Sequence, residues 1–267
     1  MQRSLHIYCR LAFAITWGVG GVGLLIPAGQ GHALGTSSPA YFIAGYGPTL
    51  AGVVVAGWFG GVDAVGRLLK RAVPSRASVA WYPVVLVGYP ALALAVDRVV
   101  PGRPGRPVIP WGGVPFLLAT ALWTDTGPLG EEFGWRGFAL PRLLLRRSPL
   151  ASGLILGLLC AAWHLPTFFI GSLPQSRFSI PTFCAAIVAL SVAQAGLYVA
   201  SGGRLDLMIL VHLVANFWAP YLAPEARAAA HLLLALVAIP AARMWARAAP
   251  RDPPDVAPEP AEPPGAS

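Results

Sequence analysis

Two adjacent carboxylates lie at the centre of the segment Gly130-Glu131-Glu132-Phe133-Gly134-Trp135-Arg136-Gly137. At a membrane boundary such neighbours repel each other and resist the loss of water. A carboxylate tuned towards neutrality by its surroundings is what a general base needs to take a proton from water. Arg136 follows Glu132 by four residues, so on a helix the two can pair and hold the second carboxylate still. The same residues would also serve as an interfacial Glu–Arg pair that merely ends a helix.

Two further polar elements interrupt apolar runs. Trp163-His164-Leu165-Pro166 follows the run Leu154–Trp163, which puts His164 at membrane depth. There it is a ligand or a hydrogen-bonded link between helices. In His212-Leu213-Val214-Ala215-Asn216 a spacing of four puts His212 and Asn216 on one helical face. An imidazole and a carboxamide so placed could bind a metal, donate hydrogen bonds to a developing oxyanion, or tie helices together. If Glu131, Glu132, His164, His212 and Asn216 converge, they make a wet polar pocket suited to attack by activated water on a carbonyl. No Ser or Cys stands near a base as a nucleophile would. The His-Glu-x-x-His helix of common zinc proteases is absent.

The elements that must position these residues follow from composition. Hydrophobic residues make up 56% of the 267 and charged residues 11%, against about 25% charged in soluble domains. Lipid is the solvent that accommodates such a chain, because a spanning helix satisfies its own backbone with about 20 apolar residues. The expected fold is all-α, a polytopic transmembrane bundle of eight spans near 5–27, 40–60, 79–97, 113–133, 150–170, 181–200, 206–222 and 228–246. The first span also has the charge and length pattern of a signal peptide, though its apolar run is long enough to cross. The last three spans are rich in Ala and Gly, as where helices approach closely in lipid. Residues 138–148 read as an amphipathic piece at the interface, and the Pro-rich tail from Pro250 reads as disordered.

The net charge of +8 does not indicate nucleic acid, because the basic residues occupy short loops between apolar stretches. That is how orientation signals and headgroup contacts are arranged. Counting Arg67, Lys70, Arg71, Arg76, Arg136, Arg142, Arg146, Arg147 and Arg204 on one side, with Arg243, Arg247 and Arg251 in the tail, predicts both termini inside. Arg98, Arg103 and Arg106, with Arg177 and Arg227, fall on the other side. Cys9, Cys160 and Cys184 are too scattered to imply a disulfide or a cysteine zinc site.

Glu-Glu-x-x-x-Arg at 131–136, Trp-His-Leu-Pro at 163–166 and His-x-x-x-Asn at 212–216 resemble, in order and spacing, the three motifs of the CAAX protease and bacteriocin-processing family of intramembrane proteases (CPBP, the Abi family). The similarity covers roughly 110–222. The resemblance implies that Glu131 is the catalytic base and that His164 helps hold its water. It implies that His212 and Asn216 stabilise the oxyanion or hold a metal, while Glu132 and Arg136 shape the site. Were the enzyme a metalloprotease, Glu131, His164 and His212 would be the ligands and zinc the metal; a metal-free site is equally compatible. The family's Phe four residues before the His is Cys160 here, a change of pocket shape rather than chemistry. The implied domains are N-terminal helices over 1–110, a catalytic core over 111–222, a last helix over 223–249 and a tail over 250–267.

The partners expected are the bilayer and a peptide or membrane-protein substrate. That substrate could be prenylated, since some relatives trim a Cys-a-a-X terminus, and the implied location is a bacterial inner membrane. Two other classes fit some of the same residues. A non-catalytic binding or immunity protein could use the pocket without turnover, and a transporter could relay protons through it. Missing repeat symmetry argues against the transporter. Asp125 could line the same cavity or cap a local break near Gly127-Pro128. Gln194 is expected to link helices, and His6 and His231 to lie at the interface.

Overall fold

The computed structural model describes residues 3–25, 35–100 and 111–248. Among these the regular structure is helical throughout, in twelve α-helices joined by short π and 3₁₀ turns. They are α1 (Arg3–Leu25), α2 (Pro39–Gly45), α3 (Gly47–Lys70), α4 (Arg76–Val79), α5 (Tyr89–Val99), α6 (Val114–Thr124), α7 (Thr126–Glu132), α8 (Leu140–Leu144), α9 (Pro149–Trp163), α10 (Ile180–Ala200), α11 (Leu205–Trp218) and α12 (Pro224–Ala248). Five segments are long and apolar enough to cross a membrane: Arg3–Val22, Gly47–Lys70, Pro149–Phe169, Ile180–Ala200 and Pro224–Met244. Leu205–Tyr221 is apolar but shorter. The tail from Pro250 lies outside the described residues, as do Arg103, Arg106 and Arg251.

The expected fourth span, 113–133, is not continuous. Asp125 leaves the helical path (φ −89°, ψ 121°), and its carboxylate accepts from the Gly127 N–H at 2.9 Å to cap α7. From there α7 runs through π-type turns at Phe133–Ala139 into α8. Of residues 138–148, expected as an amphipathic piece at the interface, those up to Leu144 therefore complete this helix. Phe138, Leu140 and Leu143 are core residues, and Arg142 lies over the Phe138 ring at 3.5 Å.

Packing around this central helix explains the rest. α3 crosses the π turns and α11 lies along α7, while α10 packs between α9 and α12. On α1, Leu5, Tyr8 and Ala12 are buried, and the Trp17 indole donates to the Trp163 carbonyl at 3.1 Å. Gly153 and Gly157 lie directly on the backbone of α10; a Cβ on either would meet Val192 Cα or Val188 Cα at 2.7 Å. Gly196 meets the Ala238 backbone of α12 as closely. Gln194 links α10 to α11 through the Met208 carbonyl. His231, expected at the interface, is instead buried, between the Tyr89 hydroxyl at 2.9 Å and the Ala186 carbonyl at 3.0 Å.

Candidate active site

Glu131 and Glu132 end α7 with different surroundings. Glu132 is fully buried, and its Oε1 accepts from Arg136 Nη1 at 2.9 Å and from His212 Nδ1 at 2.6 Å. Arg136 is 4% exposed and gives a second bond to the Ser191 hydroxyl at 2.8 Å. The charge assigned above to a loop is thus inside the bundle. A carboxylate oxygen only accepts, so His212 Nδ1 carries its proton. Glu132, Arg136, His212 and Ser191 form one buried network across α7, the π turns, α10 and α11.

Glu131 accepts no hydrogen bond among the described residues. Its Oε1 lies 3.8 Å from His164 Nε2, too far for a direct bond and suited to a bridging water. His164 Nδ1 lies 2.8 Å from the Cys160 carbonyl, so Nδ1 holds the hydrogen and Nε2 turns its lone pair towards Glu131. Trp163 and Phe183 meet the imidazole edge to face, with ring centres at 4.6 and 5.3 Å, and fix its plane. A water between Glu131 and His164 would find two acceptors for its two hydrogens.

Asn216 Nδ2 donates to Asp125 Oδ2 at 2.8 Å, which orients the amide and leaves its second N–H free. Asp125 therefore both caps α7 and sets Asn216, although the two are 91 positions apart. Gly127 supplies the space in front of them. A Cβ there would lie 2.6 Å from His212 Nε2 and 2.8 Å from Asn216 Nδ2, so both groups converge on a spot that a side chain would fill.

These residues border one cleft of about 900 Å³, lined by Asp125, Glu131, Arg136, His164, His212 and Asn216 among others. Glu132 supports it from behind. Cys160 borders the cleft too. A smaller cavity of about 60 Å³ adjoins Glu131 and His164 on the side of Thr16, Gly20 and Pro166. A protein zinc site gathers at least three ligands at one point. Among the described residues no three His, Cys, Asp or Glu side chains are so grouped, and His212 spends Nδ1 on Glu132. Glu131, His164 and His212 do not make such a set.

Residues 111–218 match the family described as Type II CAAX prenyl endopeptidase Rce1-like. No curated protein matches the chain. The matched stretch runs from the turn before α6 to the end of α11 and contains all three motifs. Members of the Rce1-like family are intramembrane proteases. With its long apolar helices, the chain is an integral membrane protein whose residues 111–218 are similar to that family.

Proposed function

We propose that this membrane protein is an endopeptidase that hydrolyses a peptide bond with water activated by Glu131. The observation that carries this reading is the 3.8 Å gap between a buried Glu131 carboxylate, which accepts no hydrogen bond among the described residues, and the lone-pair side of His164. Water held there gives one hydrogen to each acceptor and presents its oxygen to a peptide carbonyl in the cleft. As the C–O bond forms, Glu131 takes the proton. The carbonyl oxygen, now negative, receives the second Asn216 N–H and the Nε2–H of doubly protonated His212 in the space before Gly127. When the C–N bond breaks, Glu131 returns the proton to the leaving amine, and the products are a carboxylic acid and a free amine.

Glu132, Arg136 and Asp125 act through others: Arg136 holds Glu132, Glu132 holds His212, and Asp125 holds Asn216. The substrate class is a peptide or a membrane-anchored segment, with prenylated termini included. The orientation read from Lys and Arg has both termini in the cytoplasm. On that reading the cleft opens away from the cytoplasm, because Ser172, Arg177, Ser179 and Glu225 at its wall belong to the opposite side.

The test is cleavage of prenylated and unmodified decapeptides by protein in nanodiscs. Wild type runs beside Glu131→Ala and His164→Ala, each with chelator or added zinc, and thermal unfolding verifies the fold. Cleavage lost in both folded variants is the expected result, and the chelator lanes decide whether a metal takes part. A folded wild type that cuts nothing across the panel would contradict the proposal.

A further inference from the structure

The cleft contains a cation that the hydrolytic scheme does not use. Arg227, in the first turn of α12, lines the same cavity as Glu131, His164 and His212. Its guanidinium carbon lies 5.5 Å from the ring centre of Phe178 and 5.9 Å from that of Phe183. The two rings are nearly parallel, 17° apart with centres 6.2 Å from each other. Cation–π attraction to both fixes the guanidinium without consuming its N–H donors. Its Nε is buried with no acceptor, and among the described residues no carboxylate is paired with it. Glu225 borders the same cleft but is exposed and two positions away, off the Arg227 face of the helix.

A buried donor left unpaired costs stability, and charged side chains within membrane bundles recur where they meet a substrate or ion. The position is specific as well. Phe183 touches both groups, so Arg227 stands one aromatic ring from the imidazole that faces Glu131. With ring contacts of 5.3 and 5.9 Å, the guanidinium carbon is within about 11 Å of His164, the reach of about three extended residues. The planar fork of arginine matches a carboxylate with two parallel hydrogen bonds.

We propose that Arg227, seated against Phe178 and Phe183, is an anion subsite that takes a carboxylate of the bound peptide within two or three residues of the scissile bond. That carboxylate is a free C-terminus or an Asp or Glu side chain. The word scissile rests on the proteolytic reading; the subsite can be measured without turnover.

The experiment uses nanodisc protein and two matched pairs built on the best-cleaved decapeptide. One pair ends in a free acid or a carboxamide, and the other has Glu or Gln two residues after the cut. Wild type is expected to prefer the charged member of at least one pair by about 10- to 100-fold in kcat/KM. The responding pair identifies the source of the carboxylate. Arg227→Gln should bring that ratio to about one, and Arg227→Lys should keep part of it. The same ratios are read as Kd with fluorescent decapeptides on Glu131→Gln protein. An Arg227-dependent charge preference in Kd without any cleavage would keep the subsite and sink the protease reading. No charge preference in rate or Kd, or one that survives Arg227→Gln, overturns the subsite whatever the turnover. If Arg227→Gln alters only the affinity for phosphatidylglycerol, the guanidinium belongs to a lipid headgroup and the proposal fails.

Discussion

Glu131 and Glu132 share a sequence position in all but one step, and their surroundings divide the work between them. Glu132 satisfies two buried donors, Arg136 and His212. Removing it leaves a buried guanidinium uncompensated, which costs about 3–5 kcal/mol. Glu131 satisfies none among the described residues. Glu132→Ala should therefore unfold at a clearly lower temperature than wild type, while Glu131→Ala should unfold close to it. Equal losses in the two variants would contradict this division. The Glu132–Arg136 pair is legible at i,i+4. Its third member, His212, is 80 positions away, and no local spacing shows that it prefers Glu132 to Glu131. For Asp125 the sequence leaves open a cavity-lining place or a cap near Gly127-Pro128, and it has both; its bond to Asn216 depends on how α7 meets α11. Arg227, counted as a loop charge, lines the cleft because α12 begins beside Phe178 and Phe183.

At the scale of elements, hydropathy measures length and composition and is blind to breaks. It read 113–133 as one span. The Asp125 cap instead divides that stretch and starts a second helix, whose apolar end (Phe138, Leu140, Leu143) is covered by the bundle. The basic residues that made 138–148 look interfacial are accommodated separately: Arg142 stacks on Phe138, and Arg146 and Arg147 are exposed. Close helix approach was legible for the Gly-rich later spans, and Gly196 against Ala238 is an instance. Gly153 and Gly157 are close approaches that seat α9, and hence His164, against α10. Gly157→Val should force these helices apart, costing about 1–3 kcal/mol, and should slow cleavage by displacing His164. Gly66→Ala, where a Cβ meets nothing within 4 Å, is the neutral control. Thermal unfolding and peptide cleavage measured on both would check this, and a wild-type profile for Gly157→Val would refute the packing argument.

Over the whole molecule, composition was sufficient to identify a membrane bundle, because no soluble core absorbs so much apolar surface. The cleft was not legible as an object, since its wall is assembled from segments spread between Thr36 and His231. One end of the bundle gathers Arg71 on the Gly137 carbonyl, Arg142 on Ser4 and Arg204 on the Val73 carbonyl. The cleft wall at Arg177 and Ser179 lies at the other end of α10, a 21-residue helix about 30 Å long. The rule that Lys and Arg favour the cytoplasmic side then predicts labelling from opposite compartments. In a background with Cys184 replaced by Ser, Arg177→Cys should react with an impermeant maleimide in intact cells. Arg146→Cys should react only after permeabilisation. The reverse pattern would invert the orientation and open the cleft to the cytoplasm.

In the proposed hydrolysis Glu131 is the group that activates water. The direct measurement is the cleavage rate of the best peptide by Glu131→Gln beside wild type, at matched unfolding temperatures in the same nanodiscs. The expected fall is at least about 100-fold, the lower range for loss of a general base. A folded Glu131→Gln protein that cleaves within about tenfold of wild type would remove Glu131 from the chemistry and the central claim with it.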